Sequence, residues 1–239
     1  ANPFLTNGSV NNNSLINKTP TGTIITVNNL ILDAGYVRDG MGQSDIWTLA
    51  GNIFVTANGG GLAAQSTFNV NSTISGSGTL YVADNGADNA LRTIYINSAL
   101  NTYNGSIRLL GSAAGRCRLT FADDSLMNFT IGASGVNNSI SGTGTATFNG
   151  DFNIDLTGAS TTWQDSWTIV DAATLAETFS STFTVSGFTD IGGDLWTKSA
   201  NGTTYTFNEA TGILIIPEPS SVALLLGGLG LLLGFRRRA

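Results

Sequence analysis

The chain of 239 residues contains no histidine, one cysteine, four prolines and few charges. Without histidine, Ser-His-Asp and Cys-His catalysis are excluded, as are His-ligated zinc and haem sites. Cys117 stands alone, so no internal disulfide forms and the fold holds without staples. With no imidazole to activate it, Cys117 reads as a buried thiol. Charged residues are 11 % of the chain, well below the ~25 % of an average soluble domain, while 41 % are hydrophobic. Surface polarity therefore comes from Asn, Thr, Ser and Gly. Setting aside Glu218 and three C-terminal arginines, seven basic and fifteen acidic residues remain, a net charge of −8. Such a body is repelled by a phosphate backbone, which argues against nucleic-acid binding.

Helical periodicity is also missing. No body segment sustains it over eleven residues, and Ala172–Glu177 is the one candidate turn of helix. What is present is a series of short β-branched or alternating runs, each ended by Gly, Asn or Asp. They include Thr23–Val27, Asn29–Leu32, Ile46–Leu49, Ile53–Thr56, Ser66–Val70, Thr79–Val82 and Thr93–Ile96. Further along come Ser106–Leu110, Arg118–Phe121, Met127–Ile131, Thr145–Phe148 and Phe152–Leu156. Strands of this length and spacing, with thirty glycines between them, predict an all-β fold.

Internal repetition narrows the architecture. Ser72–Tyr81 (STISGSGTLY) returns 66 residues later as Asn138–Thr147 (NSISGTGTAT), with Ile74 matching Ile140. That offset divides into three turns of about 22 residues, a size suited to one coil of a right-handed parallel β-helix, whose coils bury their apolar faces by stacking. Ile74 and Ile140 are then expected in equivalent inward sites, roughly 14–15 Å apart along the axis. Asn11–Asn13, Asn28-Asn29 and Asn137-Asn138 are expected at corners, in left-handed conformations and side-chain ladders. A β-sandwich is the rival architecture, since strand spacing alone does not separate the two.

From Thr161 the texture changes. Trp163, Trp167, Phe179, Phe183, Phe188, Trp196, Tyr205 and Phe207 crowd a stretch that follows an aromatic-poor body. Asp165–Asp171 reads as a strand, and Gly202–Phe207 with Gly212–Ile216 as a closing hairpin. A solenoid needs its last coil covered, so residues 161–216 read as an aromatic-rich β cap on solenoid repeats at 1–160. An aromatic sugar-binding platform is the functional alternative.

Candidate chemistry is sparse. Gly59–Gly61 and Gly192-Gly193 read as turns, because neither opens a helix as a phosphate loop does. Glycosidase chemistry needs two carboxylates across a cleft. Asp123-Asp124 reads as a solvated turn, and Asp151 and Asp155 would stand about 13 Å apart on a strand, too far for that geometry. Asp84–Asn89 offers oxygens in a Gly-containing loop, so Asp84 and Asp88 form a weak Ca²⁺ candidate without the full alternating ligand set. No other metal or cofactor is expected, and the chain is expected not to be an enzyme. A polysaccharide-binding module or a β-helical carbohydrate-active enzyme is the alternative.

The C-terminus carries the strongest signal. Pro217-Glu218-Pro219 precedes an uncharged run from Val222 to Phe235, followed by Arg236, Arg237 and Arg238. The run has Leu224, Leu225, Leu226, Leu229, Leu231, Leu232 and Leu233 between its ends, and as a helix would extend roughly 21 Å, short of a ~30 Å bilayer core. The arginines would stay cytoplasmic and leave the body outside. The prolines should end the preceding strand at Ile216 and delay the helix to about Ser220, leaving a short extended joint.

This arrangement closely resembles the PEP-CTERM sorting signal of Gram-negative bacteria. The resemblance implies a membrane-held precursor recognised by an exosortase, cut near the Pro-Glu-Pro block at 217–219 and released to the cell surface or extracellular matrix, where exopolysaccharide is a candidate partner. Residues 217–239 are thus expected to be a sorting signal with a short transmembrane helix. Because the chain starts at Ala1 with no basic and apolar leader, a signal peptide removed from this numbering is expected. In the body, Asn101, Tyr103 and Gly105, followed by the strand Ile107–Leu109, resemble the autotransporter-associated β-strand repeat of passenger-type surface proteins. Together these readings imply a structural or adhesion-type surface protein.

Overall fold

The computed structural model describes residues 14–17, 21–39, 45–84, 92–98, 102–111, 117–173 and 179–218. They form an all-β chain, and no helix occurs among them. Its coils begin with β1 (Ser14–Asn17), β2 (Ile24–Leu32), β3 (Tyr36–Asp39), β4 (Ile46–Val55), β5 (Gly60–Ala64), β6 (Thr67–Val70) and β7 (Thr73–Gly76). They continue through β8 (Leu80–Asp84), β9 (Arg92–Ile96), β10 (Thr102–Tyr103), β11 (Ile107–Leu110), β12 (Cys117–Phe121) and β13 (Leu126–Thr130). β14 (Ile140–Gly142), β15 (Thr145–Phe148) and β16 (Asp151–Asp155) complete the series. Past these lie β17 (Ser166–Thr168), β18 (Val170–Asp171), β19 (Thr189–Asp190), β20 (Leu195–Ala200), β21 (Thr203–Asn208) and β22 (Ile213–Ile215).

Pairing up to β16 is parallel, and it closes a three-faced solenoid. The first face runs β1-β3-β5-β8-β11-β14-β18. On the second, β6, β9, β12 and β15 continue from the first halves of β2 and β4. The third takes the second halves of those two strands, then β7 and β10. β13 and β16 follow β12 and β15 as β10 follows β9, and pair with each other.

Register places apolar side chains in continuous inward rows. Trp47, Phe68, Ile94, Leu119 and Ala146 are successive ladder partners on the second face, each at most 2 % exposed. Leu80, Ile107, Ile140 and Val170 make the equivalent row on the first face. Alternate residues point outward, so the period-2 pattern of each strand decides which atoms reach the core. Cys117 belongs to the interior: its Sγ donates to the Val82 carbonyl at 3.3 Å, and burial, with nearby Asp84, pushes the thiol up to about 12.

The 66-residue repeat does not mark equivalent inward sites. Ile74 pairs with Ile53 on the third face, whereas Ile140 pairs with Ile107 on the first. Coil length varies too: Gly60 pairs with Leu80, only 20 positions on, but Ile107 pairs with Ile140, 33 positions on. What the two copies share is a corner. Gly76 and Gly142 have φ of +105° and +121°, and a Cβ on either would lie 2.1–2.2 Å from the carbonyl oxygen of its own ladder partner, Val55 or Leu109. Gly51, where β4 bends from the second face to the third, repeats the device against Val27. The S-G-x-G segment therefore encodes a bend usable at more than one corner.

Other corner expectations are corrected in part. Asparagine ladders exist, from Asn97 Nδ2 to Asn71 Oδ1 at 2.8 Å and from Asn153 Nδ2 to Asn128 Oδ1 at 2.9 Å. Asn28, Asn29, Asn137 and Asn138 are not left-handed; among asparagines only Asn201 is, within the described residues. Gly59 does turn, with φ +77°, but Gly60 and Gly61 open the buried strand β5. There a Cβ on Gly60 would stand 2.4 Å from Leu32 Cβ, so strand packing selects glycine. Asn11–Asn13 and most of Ala172–Glu177 lie outside the described residues.

Tyr103 fixes another corner. Its ring is buried, and its hydroxyl accepts the Leu80 N–H at 2.8 Å and faces the Gly78 and Ser106 carbonyls at 2.5 and 2.9 Å. Gly105 is glycine because a Cβ would meet Gly78 O at 2.1 Å and the Tyr103 hydroxyl at 2.4 Å.

The last rung comes from beyond residue 161. β18 extends the first face, while Phe179 bridges to Phe148 and Val185 to Phe152 on the other two. β17-β22-β21-β20-β19 then form an antiparallel sheet at this end. The segment Asp165–Asp171 is two strands, since β17 joins the antiparallel sheet and β18 the solenoid. Phe148, Phe152, Phe179, Phe183 and Phe207 cluster between them, with ring centroids 4.6–6.5 Å apart in the contacting pairs. Such edge-to-face and stacked pairs add to area burial.

Gly142→Ala should lower unfolding stability by about 3 kcal/mol, since it combines an unfavourable φ with a backbone collision. Gly135→Ala, at φ +74° with nothing within 4 Å, should cost only about 1 kcal/mol. Urea unfolding of the two variants checks the difference, and equal losses would refute the corner assignment.

Candidate functional site

The site with a definable geometry is where the chain leaves the body. β22 is held between β17 and β21, with Leu214 opposite both Trp167 and Phe207. Leu214, Trp167 and Phe207 are all buried, and so is Ile216. Backbone bonds close on either side of that residue: Ile216 N donates to Asp165 O, and Gln164 N donates to Ile216 O, both at 3.0 Å. Pro217 brings no N–H, and its ring forces Ile216 to stay extended, so the ladder ends there. Pro217 and Glu218 are exposed. Gln164, held at φ +70°, donates from Nε2 to Glu218 Oε1. The Gln164 brace was not legible in the sequence, because nothing local marks a residue 54 positions upstream as a partner of Glu218.

Pro219, the run containing Val222, Leu224, Leu225, Leu226, Leu229, Leu231, Leu232, Leu233 and Phe235, and the arginines Arg236, Arg237 and Arg238 lie outside the described residues. Among the described residues, no helix is long and apolar enough to cross a membrane.

The carboxylates that the sequence offered as candidates do not come together among the described residues. Asp123 and Asp124 form an exposed turn. Asp151 accepts from Thr184 Oγ1 and Asp155 from Thr157 Oγ1, both at 2.6 Å, and the bonds from Thr157 hold Asp155 below the usual carboxylate range. Asp33 is lowered in the same way by Thr56 and Asn58. Asp84 is buried at the end of β8, and Asp88 lies outside the described residues. Among the described residues, no three Asp, Glu or Cys side chains gather as metal ligands would.

A groove of about 440 Å³ lies on the third face, lined by Asn29, Asn52, Thr73, Ser75, Thr102 and the half-exposed Phe54 and Ile31 among others, none of them charged. Ile31, Phe54, Ser75 and Thr102 are one outward ladder row. The rings of the C-terminal region turn mostly inward: Trp167, Tyr205 and Phe207 are buried, and Trp163 is the exposed exception.

The buried last strand, the proline that ends it and the apolar, arginine-tailed segment beyond coincide with a known signal. Residues 216–238 match the PEP-CTERM protein-sorting motif. The match begins at Ile216, the last residue packed into the body. The motif marks an exported protein, anchored to the membrane as a precursor and processed by an exosortase. No curated protein and no solved structure matches the chain.

Two measurements probe this end of the molecule. A chain stopped after Glu218 should keep the melting temperature of the full chain. One stopped after Thr211 should lose the sheet, since Leu214 and Ile216 alone contribute about 3–6 kcal/mol by burial. Equal stability of the two would show that β22 is dispensable.

Glu209 lies in the turn between β21 and β22 of the same sheet. Burial raises its pKa, Trp196 Nε1 donating at 2.5 Å lowers it, and Asp194 and Asp190 raise it further. A carboxyl raised on folding stabilises while protonated, and that contribution is lost as pH rises from the ordinary glutamate range through the folded value. Glu209→Gln keeps the acceptor for Trp196. It should raise the melting temperature at neutral pH by roughly 1–3 °C and leave it unchanged at acid pH. A fall at neutral pH would reverse the sign.

Proposed function

We propose that the protein is a non-enzymatic structural or adhesion component of the cell surface or extracellular matrix, whose solenoid body is freed from its membrane tail and engages surface glycans. The carrying observation is the uncharged groove on the third face. Amide and hydroxyl groups there recur from one rung to the next at the ~4.8 Å strand spacing, beside the exposed ring of Phe54. Sugars are held by such combinations of fixed polar groups and an apolar face. The second face supports the same reading, with outward rows such as Asn69–Tyr95–Thr120–Thr147.

Cleavage chemistry is disfavoured on the same ground. A glycosidase needs paired carboxylates across its cleft, and the groove lining contains none. Asp33, Asp151 and Asp155 are each held by threonine or asparagine neighbours instead. The Asn-x-Tyr-x-Gly sequence at 101–105, whose Tyr103 is buried at a corner, is consistent with a passenger-type surface role.

The body ending at Glu218 should be retained by polysaccharide from the producing cell's matrix, with Phe54→Ala weakening retention about tenfold and no new reducing ends appearing. Depolymerisation abolished by one Asp→Ala change would overturn the non-enzymatic assignment. Mass spectrometry of the protein from its host should find chains ending between Ile216 and Pro219, and mature chains that keep Arg236–Arg238 would reject release from the tail.

A further inference from the structure

The exit of the tail is flanked by two loops that carry no charge and present exposed apolar side chains. Gly132–Asn137 and Thr157–Gln164 contain no Asp, Glu, Lys or Arg. Ser160 N donates to Gly132 O at 3.1 Å, and Gly135 N donates to Ser166 O at 2.9 Å. Trp167 Nε1 donates to Ala133 O at 2.7 Å, so the buried ring of β17 pins the first loop. Gln164 joins the second loop to Ile216 and Glu218. Both loops and the exit are thus one hydrogen-bonded unit.

Two large apolar side chains stand out of it. Trp163 is 64 % exposed and Val136 60 %, whereas Trp47 and Trp167 are 2 % and 1 % exposed. A tryptophan in water beside uncharged hydroxyl residues leaves a large apolar area unused. Its amphipathic ring suits the headgroup level of a bilayer, apolar face inward and N–H among polar groups. Distance permits this. The apolar run begins at Val222, four residues past Glu218, and four extended residues span at most about 14 Å. In sequence the second loop lies between Asp155 and Asp165, and the carboxylate at the exit itself, Glu218, accepts from Gln164.

We infer that the loops Gly132–Asn137 and Thr157–Gln164 rest on the lipid headgroup interface while the tail is attached, with Trp163 as the interfacial anchor. Gln164, tied to Glu218, then holds the Pro217–Glu218 joint between body and bilayer. The inference rests on the tail being a membrane anchor. Release of the tail would leave a single exposed tryptophan and valine, too little area to hold the body on lipid. The contact is therefore a property of the precursor.

The test uses the full chain reconstituted in vesicles of phosphatidylethanolamine and phosphatidylglycerol carrying shallow brominated acyl chains. Tryptophan emission should be quenched, the quenching should vanish in Trp163→Phe, and aqueous iodide should lose access to Trp163. The chain ended at Glu218, mixed with the same vesicles, should show none of this. If the full chain fails to float with the vesicles, both the anchor and the contact fall. If it floats but iodide still reaches Trp163, or Trp163→Phe is quenched as strongly as the parent, the contact alone is overturned.

Discussion

The parallel ladder register is the constraint on which the rest of this molecule depends. A single coil of Thr, Asn and Ile cannot bury its apolar side, and its backbone bonds need a neighbour above and below. Stacking satisfies both only if every rung presents apolar residues at the same ladder positions. Trp47–Phe68–Ile94–Leu119–Ala146 and Leu80–Ile107–Ile140–Val170 meet that condition while coil length changes between them. Length variation is absorbed at the corners. Where backbone passes close to the preceding coil, glycine is required at Gly51, Gly76 and Gly142, and a buried tyrosine hydroxyl satisfies corner backbone at Leu80.

Stacking creates an end, and the end shapes the C-terminal architecture. The last rung, completed by β18, Phe179 and Val185, would expose Phe148 and Phe152 to water. The aromatic cluster under the antiparallel sheet prevents that, because rings fill the widened interior with few side chains. This sheet also anchors β22, so the covering of the solenoid and the departure of the tail are one structure. The body is complete at Ile216 and the sorting motif starts there, so a cut in the joint removes nothing the core uses.

Much of this was legible in the sequence, and the failures have physical causes. Strands such as Arg118–Phe121 and Thr145–Phe148 announced themselves by alternation, because period 2 is imposed by burial of one side. The solenoid and the closing hairpin of β21 and β22 followed from strand density, repetition and the need to cover an end. The 66-residue repeat misled because local similarity reports local geometry. Ser-Gly-x-Gly specifies a bend at positive φ, and the same bend occurs at two different corners. Gly60 and Gly61, which open β5, were read as part of a turn because they are small for close packing against Leu32 and Tyr36, a reason with no local signature. Gln164 escaped for a related reason, since its partner is a strand end some fifty positions downstream, and Trp163, read as part of the aromatic cap, is exposed instead.

The scarcity of charge fits the same picture. Outward rows repeat at ~4.8 Å, so a charged residue repeated along a row would face its like at that distance, where repulsion is about a kcal/mol even in water-like surroundings. Threonine and asparagine carry no such penalty. They bond to the next rung instead, as Asn97 does to Asn71 and Asn153 to Asn128. A solenoid of this kind keeps its surface polar through hydroxyls and amides, and threonine or asparagine neighbours donate to some of its carboxylates, as at Asp33, Asp151 and Asp155. The resulting surface is hydrated and carries few charges, most of them acidic. The fold's own stacking rule thus makes an outer face poor in charge the economical choice, with single exposed residues such as Arg108 and Arg118 as the exceptions.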